Sequence, residues 1–169
     1  ERKKINMDTA SLIDITPFTW EAITTALLCG TIIGIERQIR GKPAGIRTSS
    51  LIILGTYIFI ACSKYVSQEA TMSDPSRIIG QVITGIGFLG AGVMLTKGRA
   101  VYGVTSAATI WALAAVGVCI AVDQLASAIK LSAVIVIILF GVDMLEEYSQ
   151  NVTRRVHRRY SVWRNRDNE

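Results

Sequence analysis

Long apolar runs alternate with short polar segments along most of this chain. A helix needs roughly 20 mostly apolar residues to cross about 30 Å of hydrocarbon. Four runs of that length have no interior charge, and a fifth carries Lys130 near one end. The pattern predicts five transmembrane helices, over residues 18–35, 46–66, 78–95, 104–122 and 125–142.

Composition supports a membrane protein rather than a soluble domain. Half of the 169 residues are hydrophobic, only 18% are charged, and the mean hydropathy is +0.40. A cleaved signal peptide is a poor interpretation of the first run, because the bulky Leu28 precedes Cys29 where cleavage needs a small residue. The expected fold class is therefore an all-α membrane protein built as a bundle of five transmembrane helices.

The distribution of Lys and Arg predicts the orientation. Basic residues concentrate in the first and third connecting loops and in the C-terminal segment. By the positive-inside bias these parts are cytoplasmic, so the N-terminus lies outside and the C-terminus inside. We expect an extracytoplasmic segment over residues 1–16, a transmembrane domain over 17–144 and a basic cytoplasmic tail over 145–169.

The stretch "GIGFLGAG", residues 85–92, matches the G-x-G-x-x-G spacing of dinucleotide-binding loops. Its surroundings argue against that function, because it lies inside an apolar run with no acidic residue from 75 to 122. Small residues let membrane helices pack closely, so we expect this helix and the fourth to form the buried centre. A glycine-lined path or flexible gate is the alternative. The expected helix-packing residues are Gly80, Thr84, Gly85, Gly87, Gly90, Ala91 and Gly92.

Polar residues at the ends of the predicted helices are the first functional candidates. The loop "ERQIRGKPAGIRT" contains Glu36, Arg37, Lys42 and Arg47. A cytoplasmic loop is often basic for orientation alone. Glu36 and Arg47, however, lie at helix edges, where a charge is costly unless it is paired or hydrated, so these two residues are expected to have partners or a role in function.

The segment "SDPSRIIGQ" has the composition of a helix start. Asp74 can cap the helix, and Pro75 suits its first turn. Alternatively, Asp74 and Arg77 pair to close the outer mouth of the bundle, with Gln81 four residues beyond Arg77 on the same side.

The tail "LEEYSQNVTRRVHRRYSVWRNR" predicts a basic amphipathic helix. Such a helix beside a cytoplasmic membrane exit is expected to bind anionic membrane lipids, and a dimer contact is the second choice. Nucleic acid is not an expected partner, since nothing supplies base readout. The lipid-facing arginines are Arg154, Arg155, Arg158 and Arg159.

Nothing in the sequence indicates an enzyme, a cofactor or a metal site. The single histidine, His157, lies among tail arginines and has no triad partners. Cys29, Cys62 and Cys119 fall in three different predicted spans, without a C-x-x-C spacing. No phosphate-binding loop, zinc motif or calcium loop is present in the sequence.

Three ordered motifs resemble the MgtC/SapB family of bacterial inner-membrane proteins. They are "GTIIGIERQIRGKPAGIRTSSLIILG", "DPSRIIGQVITGIGFLGAGVML" and "GVTSAATIWALAAVGVCIA", and the similarity extends from about residue 18 to residue 142. The family motifs add Arg37, Lys42, Thr105 and Trp111 to the candidate functional residues. Some relatives have Asn or Cys where this chain has Thr105 and Ala112, and many continue into a soluble C-terminal domain.

The resemblance implies a multi-pass protein of the bacterial inner membrane that acts in magnesium limitation, acid stress or virulence. It implies a non-enzymatic regulator of other membrane machinery, including the ATP synthase, so another inner-membrane protein is the expected partner. A homo-oligomer is also expected, with a dimer favoured. The alternative is a small oligomeric transporter or channel for magnesium, protons or another small solute, although the third and fourth spans offer no carboxylate to a magnesium ion.

Overall fold

The computed structural model describes residues 14–68, 75–97 and 100–141, and most of these are helical. Three of the described helices, those that begin at Trp20, Ile46 and Val104, are long and apolar enough to cross a membrane. The predicted basic C-terminal helix, with its four arginines, lies outside the described residues. The elements in chain order are α1 (Trp20–Ile39), α2 (Ile46–Gln68), α3 (Pro75–Gly92), β1 (Leu95–Lys97), β2 (Ala100–Tyr102), α4 (Val104–Ala121) and α5 (Leu125–Gly141).

Thr19 fixes the start of α1. Its side chain accepts a hydrogen bond from the Ala22 backbone N–H at 3.2 Å, as a helix N-cap does. Its own backbone N–H donates to the Tyr57 hydroxyl of α2 at 3.0 Å. The Tyr57 ring also meets Phe18 edge to face, with centroids 6.1 Å apart. These contacts attach the beginning of α1 to the middle of α2.

Two glycines let α1 and α2 approach closely. A Cβ added at Gly30 would collide with the backbone of Ser50, and one added at Gly34 would collide with the backbone of Ile46. The two glycines are four residues apart and lie on one face of α1, the spacing that permits close packing of membrane helices. Among α1 to α4, the α1–α2 pair makes the most extensive contact.

Helix α4 packs into the angle between α1 and α2. Gly117 permits this packing, because an added Cβ there would lie 2.7 Å from both the Ile53 carbonyl oxygen and Thr56 Cβ. Ile33 of α1, Ile53 of α2 and Leu113 of α4 are completely buried in the resulting core. The prediction that the fourth helix is central is therefore confirmed.

The prediction that the third helix is also central is wrong for the single chain. Helix α3 packs mainly against α4 and only weakly against α2. Gly90 is its only described residue that is fully buried, and its backbone lies beside Ala107 of α4. The core instead lies between α1, α2 and α4, with Ala128 and Leu139 of α5 packed into it. The glycines of α1 and α4 permit this close packing, whereas most glycines of α3 face open space.

A short hairpin connects α3 to α4, in a stretch that the sequence analysis treated as a plain basic loop. Strands β1 and β2 pair antiparallel, with Leu95 opposite Tyr102 and Lys97 opposite Ala100. Gly103 then begins α4 at a φ of 87°, and a Cβ there would collide with the Val93 carbonyl. Only glycine fits such a position without strain.

At the opposite end of the bundle, Lys64 joins α2 to the end of α4. Its Nζ donates to the Ala121 carbonyl oxygen at 2.7 Å and lies 3.6 Å from Asp123 Oδ2. A cation beside the last carbonyls of a helix is a favourable arrangement. Asp123 is almost fully exposed, so this ion pair lies in solvent. The charged residues Glu36 and Arg37 at the other end of the bundle are buried.

Candidate functional site

Two charged residues of the first predicted loop are buried at the end of α1. Glu36 is 1% exposed and Arg37 is 2% exposed. Both belong to the last turn of the helix rather than to the loop that follows it. Buried charges are tolerated only when other groups compensate them, so their contacts determine what they contribute.

Arg37 connects α1 with the start of α4. Its Nη2 donates to Ser106 Oγ at 2.8 Å, and its Nε donates to the Pro43 carbonyl oxygen at 3.5 Å. Ser106 is buried in the first turn of α4, and Pro43 belongs to the loop between α1 and α2. One guanidinium group therefore holds three segments of the chain together.

Glu36 is compensated by two guanidinium groups. Arg40 Nε lies 2.9 Å from Glu36 Oε1, and Arg37 Nη1 lies 3.7 Å from Oε2. Within the described residues neither carboxylate oxygen accepts a hydrogen bond of good geometry. Charge attraction therefore holds the carboxylate, and it is stronger than in water because the site is buried.

Arg40 extends this arrangement to α5. Its Cζ lies 4.6 Å from the centroid of the Phe140 ring, a cation–π contact. We call Glu36, Arg37, Arg40, Ser106 and Phe140 the charged cluster, and the end of the bundle that contains it the cluster end. The cluster joins α1, α4 and α5 at that end.

The chemistry of the charged cluster suits a structural joint. Two guanidinium groups surround one carboxylate, so the cluster has a net positive charge that would repel a metal cation. In the parts of the chain that the structure describes, no three His, Cys, Asp or Glu side chains come together.

The remaining charged candidates do not join the cluster. Lys42 and Arg47 are both exposed. Arg77 is exposed on α3, and Asp74 lies outside the described residues, so the predicted Asp74–Arg77 pair stays a prediction. Thr105 and Trp111 lie exposed on α4, with Trp111 55% exposed.

An open groove of about 990 Å³ runs between α2 and α3, where these helices diverge. We call it the α2–α3 groove. Arg47 and Thr48 lie at its cluster end, and Gln81 lines it towards the other end. Its walls are mostly apolar and include Leu51, Ile52, Phe59, Val82, Ile86 and Leu89.

Thr56 is an unusual residue in the wall of the α2–α3 groove. It is 2% exposed, and among the described residues its hydroxyl has no hydrogen-bond partner. Other helical threonines differ, because Thr31 and Thr109 each donate to the carbonyl four residues earlier. Thr56 packs its Cβ and methyl group against Gly117 of α4, and the residue also lines the groove.

Most of the glycines that were predicted to pack helices together contact no neighbouring helix within the single chain. A Cβ added at Gly80, Gly85, Gly87 or Gly92 would meet no atom within 4 Å, and Thr84 and Ala91 are exposed. Gly90 alone approaches another helix, with its added Cβ 3.6 Å from Ala107 Cβ. We call the exposed row of Gly80, Thr84, Gly87 and Ala91 on α3 the small-residue stripe. That a helix of a partner packs along this stripe stays a prediction.

Several residues that no sequence pattern had indicated come together in the structure. Gly30, Gly34 and Gly117 make the closest helix approaches, and the spacing Gly30-x-x-x-Gly34 was a readable signal. Arg40, Ser106 and Phe140 complete the charged cluster, but no sequence spacing connects them.

Comparison with known proteins gives a consistent family match. The model of the MgtC family matches residues 23–148. Protein MgtC of Salmonella typhimurium is 39% identical over 132 residues, which cover 78% of this chain and 54% of that protein. YhiD of Escherichia coli K12, provisionally named a magnesium transporter, is 46% identical over 108 residues, or 61% of this chain and 50% of that protein.

Protein MgtC of Brucella abortus is 44% identical over 100 residues, which cover 59% of this chain and 41% of that protein. This chain spans about half the length of the curated relatives that it matches. No solved structure matches it.

Proposed function

The chain belongs to the MgtC family, and from this premise we propose that it is a non-enzymatic regulator of other machinery in a bacterial inner membrane. We place its action in magnesium limitation, acid stress or virulence, the setting that the family resemblance implies. The regulated partner is another membrane protein, and the regulator acts by contact rather than by chemistry.

The small-residue stripe on α3 is the observation that carries this proposal. Its four residues are exposed, and open space lies above Gly80 and Gly87. Membrane helices associate by close packing at small residues, because lipid tails are as apolar as Leu. A second helix placed along the stripe can approach the α3 backbone as closely as α2 approaches α1 at Gly30 and Gly34.

We further propose that all five helices span the membrane, with the N-terminus outside and the C-terminus in the cytoplasm. The 18 residues of α3 extend about 27 Å, close to the thickness of the hydrocarbon layer. Arg40, Lys42 and Arg47 fall at the cluster end, which the positive-inside bias makes cytoplasmic.

Bulk added to the stripe tests the regulator. The variant Gly87→Leu and the wild type are expressed at equal levels in a strain lacking the protein, and growth is measured at limiting magnesium. We expect Gly87→Leu to lose the growth phenotype although it folds, because its added side chain has open space in the single chain. The matched control is Ala133→Leu, which adds similar bulk at an exposed small residue of α5 and is expected to behave like the wild type.

Growth of Gly87→Leu at the wild-type level, with Ala133→Leu also unaffected, would reject the stripe as the regulatory surface. Membrane abundance of each variant is measured in the same cells, so that a folding defect is not mistaken for a loss of contact.

A transporter is the second candidate, and the polar residues of the α2–α3 groove favour it. Thr48, Thr56 and Ser63 follow one face of α2, and Gln81 of α3 lines the same groove. The provisional name of YhiD also points to magnesium transport.

Flux into liposomes that contain the purified chain separates the two candidates. A transporter predicts magnesium or proton flux that Gln81→Leu abolishes, whereas a regulator predicts no flux above that of empty vesicles. Flux that depends on Gln81 would reject the regulator proposal in favour of the transporter.

A further inference from the structure

We propose that the α2–α3 groove is a binding site for an anionic phospholipid. The phosphate lies at Arg47 and Thr48, the glycerol esters lie below it, and one acyl chain follows the groove between the two helices. This inference goes beyond the proposed function, because it concerns a lipid ligand on a different face of α3 from the small-residue stripe.

The shape and lining of the groove fit an acyl chain. Its volume of about 990 Å³ is at the upper end of ordinary ligand sites. Gly55 on α2 and Gly85 on α3 both line it, and a Cβ added at either would meet no atom within 4 Å. The absence of both side chains widens the space between walls that are mostly apolar. A groove that is open to a bilayer fills with hydrocarbon, because the apolar walls gain dispersion contacts only when it is occupied.

The charge at the cluster end of the groove fits a phosphate. Arg47 is exposed and makes no ion pair with a described residue, and none of the described residues that line the groove is acidic. Arg47 also lies in the first turn of α2, which has no acidic residue. The free N–H groups and positive dipole of a helix start favour an anion. The start of α1 differs, since Glu21 and the Thr19 cap already supply oxygen atoms there.

Thr56 supplies an independent observation that indicates a polar ligand group. Its side chain lines the groove and is 2% exposed, yet its hydroxyl has no partner among the described residues. It is the next hydroxyl after Thr48 along the α2 wall, about 12 Å further along the helix. The ester carbonyls of a phospholipid lie below its phosphate. Rotation of the Thr56 side chain about χ1 would turn its buried hydroxyl into the groove, where it can donate a hydrogen bond to one of them.

The test uses native mass spectrometry of the purified full chain with equal amounts of two lipids that have identical acyl chains. Phosphatidylglycerol is the anionic lipid, and phosphatidylcholine is the zwitterionic one. We expect the wild type to retain phosphatidylglycerol preferentially, and Arg47→Gln to lower that preference about fivefold, the effect of one basic side chain near an anionic lipid. Lys130→Gln, which removes an exposed cation of α5 outside the groove, is expected to keep the preference.

The acyl-chain part of the site has its own variants. Gly55→Leu and Gly85→Leu fill the groove and are expected to reduce retention of both lipids. Gly141→Leu also adds bulk where a Cβ meets no atom within 4 Å, but it lies outside the groove and is expected to retain lipid like the wild type. Using one glycine from each wall keeps the test valid should either variant fold poorly.

An ether-linked phosphatidylglycerol tests the role of Thr56, because it lacks ester carbonyls. The wild type is expected to prefer the ester-linked lipid by two- to tenfold, about the contribution of one hydrogen bond. Thr56→Val is expected to lose this preference, and Thr56→Ser to keep it. Thr31→Val, which removes a hydroxyl that is already bonded to the Leu27 carbonyl, leaves the preference unchanged.

Several results would overturn the proposal. They are equal retention of anionic and zwitterionic lipid by the wild type, unchanged retention in both groove-filling variants, and displacement of the lipid by excess inorganic phosphate. Displacement by phosphate would indicate an anion site at Arg47 without a place for the acyl chain. A polypeptide retained in the groove instead of lipid would equally exclude the lipid.

Discussion

The glycines of this chain have opposite surroundings in two regions of the molecule. In the closed core of α1, α2 and α4, Gly30, Gly34 and Gly117 lie so close to neighbouring backbone or side-chain atoms that even one added carbon would collide. In α3, Gly80 and Gly87 have open space where a side chain would be. The same residue type therefore permits close packing in one region and leaves an available surface in the other. Glycine density alone does not distinguish the two uses.

The closed core is also where buried charge is compensated, and removing Arg37 should have the largest effect. Arg37→Leu removes the bond to Ser106 and one of the two cations near Glu36, which leaves a buried carboxylate less compensated. We expect a loss of about 3 to 5 kcal/mol in the free energy of unfolding, the usual cost of breaking a buried ion pair. Unfolding of the purified protein in a denaturing detergent series measures it. Arg77→Leu removes an exposed arginine of α3 and is the matched control, and an equal loss in the two variants would contradict the assignment.

A single added methyl group should distinguish the glycines of the two regions by the sign of its effect. Gly34→Ala places a Cβ against the Ile46 backbone, which cannot yield as a flexible side chain could, so we expect a loss of about 1 to 3 kcal/mol or more. Gly87→Ala adds a carbon in open space and is expected to stabilise α3 by about 0.5 to 1 kcal/mol, because alanine favours the helix. The same detergent unfolding series measures the stability of both variants. A change of the same sign in the two variants would mean that the closed core and α3 do not differ in this way.

Gly90→Ala should give the smallest change in the free energy of unfolding. Gly90 is a residue that is buried without lying unusually close to the neighbouring helix. Gly90 is buried, but an added Cβ would lie 3.5 Å from the Ala107 carbonyl oxygen, an ordinary contact distance. The methyl group therefore fits, and we expect unfolding within about 1 kcal/mol of the wild type. A loss as large as that of Gly34→Ala would mean that α3 packs on α4 as tightly as α1 packs on α2. The comparison between closed and open regions would then fail.

The helices and part of the charged cluster could be predicted from the sequence. The apolar runs indicate the ranges of all five helices to within a few residues, because helix length in a membrane follows from hydrocarbon thickness. The cost of a charge at a membrane edge indicates Glu36, which is buried, but equally Arg47, which is exposed, and Arg37 is indicated only by the family motif. Arg40, Ser106 and Phe140 were not identified, since their contacts depend on how α4 and α5 are rotated against α1. The hairpin also escaped prediction, because its strands are too short for a periodic pattern.

The helical class, the family and the segments that carry charge follow from local sequence, because apolar run length and short motifs are properties of consecutive residues. Tertiary structure alone decided which of these residues are buried. Arg37 and Arg47 belong to the same basic segment, yet Arg37 lies in the core and Arg47 lies exposed beside the α2–α3 groove. The physical reason is that burial depends on which helix packs against each face. In a membrane that packing depends on backbone approach at particular glycines, rather than on the hydrophobic pattern that all five helices share.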